Sequence, residues 1–143
     1  MQFKKSALIG TALTILSFPL ITNANLITTN NTSEYSSVQI ISLSPNRCSG
    51  QAHDDVGITK PHSTTDTSTT DVKALCSKTP CIAKILMETD YNSAKTCSGN
   101  VIDIGTAEID DLNSDVVTSI NVTNTHYSVT GNGSNHITID KIQ

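Results

Sequence analysis

Aromatic residues are nearly absent from this sequence. It contains no Trp, and both Phe residues, Phe3 and Phe18, lie within the first 24 residues; the remaining aromatic side chains are Tyr35, Tyr91 and Tyr127. Proteins that bind sugars or single-stranded nucleic acids stack these ligands on aromatic faces. The sequence therefore offers almost no stacking platform, and it predicts a core built from Ile, Val and Leu.

Basic residues are also scarce. The 143 residues include nine Lys and Arg against thirteen Asp and Glu, which gives a formal net charge of −4. Binding to nucleic acid or to an anionic membrane surface relies on clustered Lys and Arg. The acidic balance argues against nucleic acid as a partner, and no segment after residue 24 is apolar enough to predict a membrane span.

The motifs of common hydrolases are missing. The metalloprotease pattern H-E-x-x-H does not occur, and Ser98, between Cys97 and Gly99, does not lie in a G-x-S-x-G nucleophile elbow. No catalytic residue is predicted, so the question of enzymatic activity stays open and the motifs favour a non-enzymatic protein.

The N-terminus has the pattern of an export signal. Lys4 and Lys5 precede an apolar stretch over residues 7–16, and residues 22–24 provide the small side chains that a signal peptidase recognises. The apolar stretch is shorter than the roughly 20 residues that a transmembrane helix needs. Residues 1–24 are therefore predicted to be a cleaved signal peptide, and the protein is predicted to be secreted or periplasmic.

The remaining residues are predicted to form one domain. Residues 25–37 are rich in Thr, Asn and Ser and are predicted to be a flexible lead-in to a single β-domain over residues 38–143. Within that domain, the Ser/Thr-rich segment near residues 49–71 has no hydrophobic periodicity. We expect it to be a mobile loop.

Alternating hydrophobicity predicts the strands. Residues 116–123 place apolar side chains on one face with a period of two, and the sequence Gly-Asn-Gly-Ser at 131–134 predicts a hairpin turn. Residues 79–88 fit either a strand or a helix that starts at Pro80, and the flanking cysteines favour a strand. The predicted fold is all-β: a small, disulfide-stapled antiparallel β-sandwich or open barrel with a C-terminal meander.

Four cysteines, Cys48, Cys76, Cys81 and Cys97, predict two disulfides in a small exported chain. A zinc site is disfavoured because Cys48 and Cys97 lack the spacing of a second zinc knuckle. A hairpin centred near Thr89 would place Cys81 opposite Cys97, which favours that bridge together with Cys48–Cys76. The rival pairing joins Cys76 to Cys81 and Cys48 to Cys97.

Two polar patterns are candidate sites. His53, Asp54 and Asp55, with His62 nearby, would supply either a metal ligand among carboxylates or a general base with its orienting acid. A solvated loop is the alternative interpretation.

The second pattern is an acidic turn that resembles the start of a calcium loop. It places oxygen ligands at Asp111, Asn113 and Asp115, next to Asp110, but Val116 occupies the position where an EF-hand has Gly. The sequence therefore predicts no cofactor, with weak calcium binding as the alternative.

Residues 80–100 carry a family resemblance. The order P-C-x-A-x-I followed by C-S-G-N, after an export signal, is similar to small uncharacterised secreted proteins of Gram-negative intracellular bacteria. Such proteins are often substrates of a type II secretion system, which exports folded, disulfide-bonded cargo from the periplasm. The resemblance implies secretion by such a system, and it carries over no catalytic residue.

These patterns lead to one functional hypothesis and two alternatives. The favoured hypothesis is an exported, non-enzymatic binding protein, a virulence-associated factor that acts outside the cytoplasm on a host or envelope protein. The first alternative is a small metal-dependent or hydrolytic enzyme that uses the segment His53–Asp55. The second is a structural component of the cell envelope.

Overall fold

The computed structural model describes residues 25–143, so the predicted signal peptide lies outside the described residues. Two 3₁₀ turns, Ser49–Gln51 and His53–Asp55, precede the first helix. Within the described range, no helix is long and apolar enough to cross a membrane. The strands and helices are β1 (Leu26–Asn30), β2 (Tyr35–Ile40), β3 (Arg47–Cys48), β4 (Ser63–Thr67), α1 (Thr69–Cys76), β5 (Cys81–Glu88), α2 (Tyr91–Thr96), β6 (Val101–Ile109), β7 (Val117–Val122), β8 (Tyr127–Thr130) and β9 (His136–Lys141).

The strands form two sheets that pack face to face. One sheet has four strands in the order β4-β1-β9-β8, and the other has five in the order β3-β2-β5-β6-β7. Neighbouring strands are antiparallel except for β1 and β9, which run parallel. The prediction of an all-β sandwich is confirmed.

The core lies between the sheets and is almost entirely aliphatic. Alternation along β5 points Cys81, Ala83, Ile85 and Met87 inward, and all four side chains are buried. They share one hydrophobic cluster with residues from β8 and β9: Tyr127, Val129, Ile137 and Ile139. Tyr127 is the aromatic member of this cluster, so the two sheets are separated mostly by small and medium side chains.

A buried polar contact joins the two sheets at one end. Glu34, just before β2, accepts hydrogen bonds from the Tyr127 hydroxyl at 2.5 Å and from Lys141 Nζ at 2.7 Å. Asn30, fully buried at the end of β1, donates to the backbone oxygens of Glu34 at 2.6 Å and Thr59 at 3.3 Å. Because a buried polar group without a partner is costly, these bonds fix the turn between β1 and β2.

The predicted C-terminal meander is divided between the sheets. β5, β6 and β7 are consecutive antiparallel neighbours. After β7, Thr123 and Asn124 both donate backbone hydrogen bonds to the Ile104 carbonyl, at 3.0 and 3.4 Å. The chain then leaves this sheet, and β8 and β9 pair in the opposite one. The turn at 131–134 lies where the sequence predicts it.

Two segments expected to lack structure are ordered. The expected lead-in over residues 25–37 contains β1 and the start of β2, and the expected mobile loop near 49–71 contains both 3₁₀ turns, β4 and the beginning of α1. Low hydrophobicity is misleading here because β1 and β4 pair through Thr-rich sequence, with Thr28 opposite Thr65. Thr is β-branched and favours strands. The strand predicted over residues 79–88 is confirmed by β5.

The disulfides follow the rival pairing. Cys48 is bonded to Cys97, and Cys76 is bonded to Cys81. The favoured Cys81–Cys97 bridge is wrong because the β5–β6 connection is not a tight turn: it contains α2, so Cys81 lies opposite Ile109 in the ladder. Cys97 ends α2 and reaches β3 instead.

The two bridges should contribute unequally to stability. The Cys48–Cys97 bridge spans a sequence separation of 49 and the Cys76–Cys81 bridge a separation of 5. Loop-closure entropy gives the long bridge about 4 kcal/mol and the short one about 2 kcal/mol. We therefore expect the double variant Cys48→Ala/Cys97→Ala to lose about twice as much unfolding free energy as Cys76→Ala/Cys81→Ala. Urea denaturation measures both, and equal losses would contradict the entropic argument.

Candidate functional site

Two of the three tyrosines outside residues 1–24 meet at the surface. Tyr35 begins β2 and Tyr91 begins α2, and their ring centroids lie 6.0 Å apart with an interplanar angle of 67°, an edge-to-face arrangement. Asp55 and Lys95 contact Tyr91, and all four residues are half-buried. We refer to Tyr35, Asp55, Tyr91 and Lys95 as the tyrosine face.

Helix α2, which carries Tyr91, is fixed at both ends. The side chain of Asp90 caps its N-terminus by accepting a hydrogen bond from Ser93 N at 2.8 Å. At its C-terminus, Cys97 adopts a left-handed conformation with φ of 54° and forms the disulfide to Cys48. Tyr91 is therefore held in place by the backbone beneath it.

Asp55 links Tyr91 to Lys95. Its carboxylate accepts from the Tyr91 hydroxyl at 2.6 Å and from Lys95 Nζ at 2.9 Å, and the same Nζ lies 5.9 Å from the Tyr91 ring centroid. The hydrogen bond from Tyr91, and to a lesser extent that from Lys95, holds the pKa of Asp55 below its usual value. The bond to Asp55 likewise raises the pKa of Lys95. The tyrosine face thus presents aromatic rings bordered by one charge of each sign.

A buried carboxyl group lies beneath this face. Glu88, the last residue of β5 and the ladder partner of Tyr35, is fully buried. Its Oε2 accepts from the Ser37 hydroxyl at 2.6 Å, whereas its Oε1 has no partner among the described residues. Burial raises the pKa of Glu88 to about 7. Sequence reasoning misses this group because Glu88 is a charged residue at the end of a strand, where an exposed side chain is the usual outcome.

The structure keeps His53 beside Asp54 but directs Asp55 and His62 elsewhere. His53 Nδ1 lies 3.2 Å from Asp54 Oδ2, and its Nε2 lies 3.0 Å from Asp71 Oδ1. Asp55 belongs to the tyrosine face, and His62 lies in the turn before β4 with its backbone N–H bonded to Thr32. These four candidates therefore do not converge on one point.

His53 borders a groove of about 300 Å³ between the 3₁₀ turns and α1, where Arg47 donates to the last carbonyls of the helix. The hydrogen bond to Asp54, followed in size of effect by the one to Asp71, raises the pKa of His53. Both ring nitrogens are engaged, so His53 would have to break a contact before it could bind a metal or accept a proton from a substrate.

The residues of the acidic turn also point in different directions. Asp111 Oδ1 accepts from the backbone N–H of Asn113 at 2.9 Å. Asp115 is fully buried and accepts from the Thr69 hydroxyl at 2.7 Å, while Asp110 is exposed; burial raises the pKa of Asp115. Across residues 25–143, no group of three His, Cys, Asp or Glu side chains is arranged to hold a metal ion.

Comparisons with known proteins identify one structural likeness. No family model and no curated protein matches the chain. Among solved structures, the chain is similar to the Legionella pneumophila type II secretion system substrate NttC, with 26% sequence identity and a TM-score of 0.58. The match covers 84% of this chain and 99% of that one. It confirms the resemblance indicated by residues 80–100, and with the two disulfides it fits an extracytoplasmic, secreted protein.

Ionisation of Glu88 should make stability depend on pH. Its folded-state pKa of about 7 lies above its usual value of 4.5, so the penalty for a buried charge is absent at pH 4.5 and grows as pH rises to 7. We expect unfolding free energy to fall by about 2–3 kcal/mol over this window. Glu88→Gln should remove most of the decline, whereas the exposed control Asp110→Asn should keep it. Chemical denaturation at pH 5 and pH 7.5 measures the effect, and a decline of the same size in Glu88→Gln would contradict it.

Proposed function

We propose that this protein is an exported, non-enzymatic binding protein that leaves the cell through a type II secretion system. The observation that carries the proposal is the likeness to NttC, a type II secretion system substrate, over 99% of that chain. The two disulfides support it, since such bonds persist in oxidising compartments outside the cytoplasm.

The tyrosine face is the part of the surface that we propose contacts the partner. Tyrosine is enriched among the residues that dominate binding energy at protein interfaces, because it offers a large apolar area and a hydrogen-bonding group at low entropic cost. Tyr35 and Tyr91 are half-buried, the Asp55–Lys95 pair contacts Tyr91, and Tyr91 packs against Tyr35, so little further ordering is needed on binding. The partner that this chemistry fits is a protein of the host or of the cell envelope.

Secretion can be tested directly in Legionella pneumophila. We expect a tagged version of the chain to accumulate in the medium of a strain with a functional type II secretion system, cleaved after Ala24 and lacking free thiols. A matched strain without that system should retain the protein in its periplasm. Equal amounts in both media would overturn the proposed route, and an uncleaved cytoplasmic product would overturn export.

The tyrosine face can be tested with single substitutions. A partner captured from host or envelope extracts by the wild-type protein should bind Tyr91→Ala and Tyr35→Ala at least about tenfold more weakly, as expected for interface hot spots. Asn121→Ala, an exposed control on β7, should bind like the wild type. Affinities are measured by biolayer interferometry, with circular dichroism as the check on folding. Unchanged affinity in a folded Tyr91→Ala variant would place the interface elsewhere.

A further inference from the structure

An apolar cavity of about 100 Å³ lies between the two sheets of the sandwich. Its walls come from both sheets and from α1, and they include Ile40, Val72, Ala83, Val117 and Ile139. None of the lining residues is exposed at the surface. The cavity is therefore separate from the tyrosine face, which lies outside the sheets.

The cavity follows from the small side chains of the core. Packed sheets lie roughly 10 Å apart, a gap that large aromatic side chains often help to fill. Here Ala83 and Ala107 lie opposite each other on β5 and β6, and both line the cavity. An unfilled cavity weakens the folded state in proportion to its volume. An apolar occupant would remove that deficit.

The volume of the cavity limits what it can hold. An engineered cavity of about 150 Å³ holds the six carbons of benzene, and by proportion a volume of about 100 Å³ holds about four carbons. An aromatic ring exceeds that volume, whereas an unbranched alkyl segment of four carbons matches it.

One side of the cavity is closed by a loop instead of a strand. Residues 56–59 cover the gap between the edge of β2 and β4, where Thr59 exchanges two backbone hydrogen bonds with Ser36, at 2.8 and 2.9 Å. The carbonyl of Gly57 accepts from the Ser49 hydroxyl at 2.6 Å, and that of Val56 accepts from Thr67 at 3.2 Å. Thr65 also donates to the Ile58 carbonyl, at 3.2 Å, and Asn30 to the Thr59 carbonyl, at 3.3 Å. This cover is not part of a strand ladder, so a ligand that enters beneath it breaks no pairing between the named strands.

We propose that this cavity binds one unbranched alkyl chain segment of about four carbons. The alkyl end packs against the aliphatic residues of both sheets, and the polar end of the molecule lies beneath residues 56–59. Ser36, Thr59 and Thr67 are the polar residues that line that side. The segment is either a free short aliphatic molecule or the tip of a longer lipid chain.

Methyl NMR of the disulfide-bonded protein tests this proposal with 1-butanol, dodecanoic acid and benzene as probes. We expect 1-butanol to shift the methyl signals of Ile40 and Ile139 along a saturable, one-to-one curve, while the exposed Ile102 stays unchanged. If dodecanoic acid binds at least as tightly as 1-butanol, the source is a longer lipid; if it does not bind, the source is a short molecule. Non-saturating or uniform shifts, or tighter binding of benzene, would overturn the proposal.

A cavity-filling variant supplies the matched control. Ala83→Val adds two methyl groups to the wall and should weaken 1-butanol binding by at least about tenfold. Ser119→Val adds the same apolar bulk at an exposed position of β7 and should leave binding unchanged. If Ala83→Val does not give a folded spectrum, Ala107→Val takes its place. Undiminished binding in a folded cavity-filling variant would overturn the proposed location.

Discussion

The Cys48–Cys97 disulfide is the constraint on which the functional surfaces of this molecule depend. It fixes the end of α2 to β3 and so holds Tyr91 and Lys95 against β2. The 3₁₀ turns that follow Cys48 lie within the loop that the bridge closes, and they deliver Asp55 to the tyrosine face. Residues 56–59, which cover the core cavity, belong to the same loop. One covalent bond therefore positions the candidate interface outside the sheets and the cover of the cavity between them.

The three buried carboxyl groups of the described chain differ in how many hydrogen-bond donors they have. Glu34 has two strong donors, and it joins the sheets where β2 begins. Glu88 accepts from the Ser37 hydroxyl and Asp115 from the Thr69 hydroxyl, and within residues 25–143 the other oxygen of each carboxyl group has no hydrogen-bond partner. Burial with incomplete pairing favours the protonated carboxyl. Burial raises the pKa of Glu88 and of Asp115 and so favours their neutral forms. Glu34 instead links the two sheets through its hydrogen bonds to Tyr127 and Lys141.

The strands with alternating hydrophobicity could be predicted from sequence, because burial on one face leaves a period of two. The hairpin of β8 and β9 follows this rule, with Tyr127, Val129, Ile137 and Ile139 buried. β7 forms where the alternation predicts a strand, but the predicted inward face is wrong: Val117 is its buried residue, and Val122 is exposed. β1 and β4 could not be predicted this way, since their stability comes from backbone pairing between Thr-rich segments. The tyrosine face depends on the register of β2 and on the position of α2. The sequence signal for α2 is Asp90, a residue type that caps helix N-termini. A prediction that takes residues 90–93 as a turn omits α2, and it then places Cys97 opposite Cys81 and pairs the cysteines wrongly.

The parallel pairing of β1 with β9 places the first and last strands of the described chain side by side, in the middle of the four-stranded sheet. That sheet cannot assemble until residues 136–141 have emerged from the ribosome or from an export channel. A partial chain can form local hairpins, but the sandwich closes only when both ends are present, and contacts so distant in sequence form slowly. The topology therefore delays closure of the four-stranded sheet until the C-terminal strand is available, which makes completion of the sandwich a late step in folding.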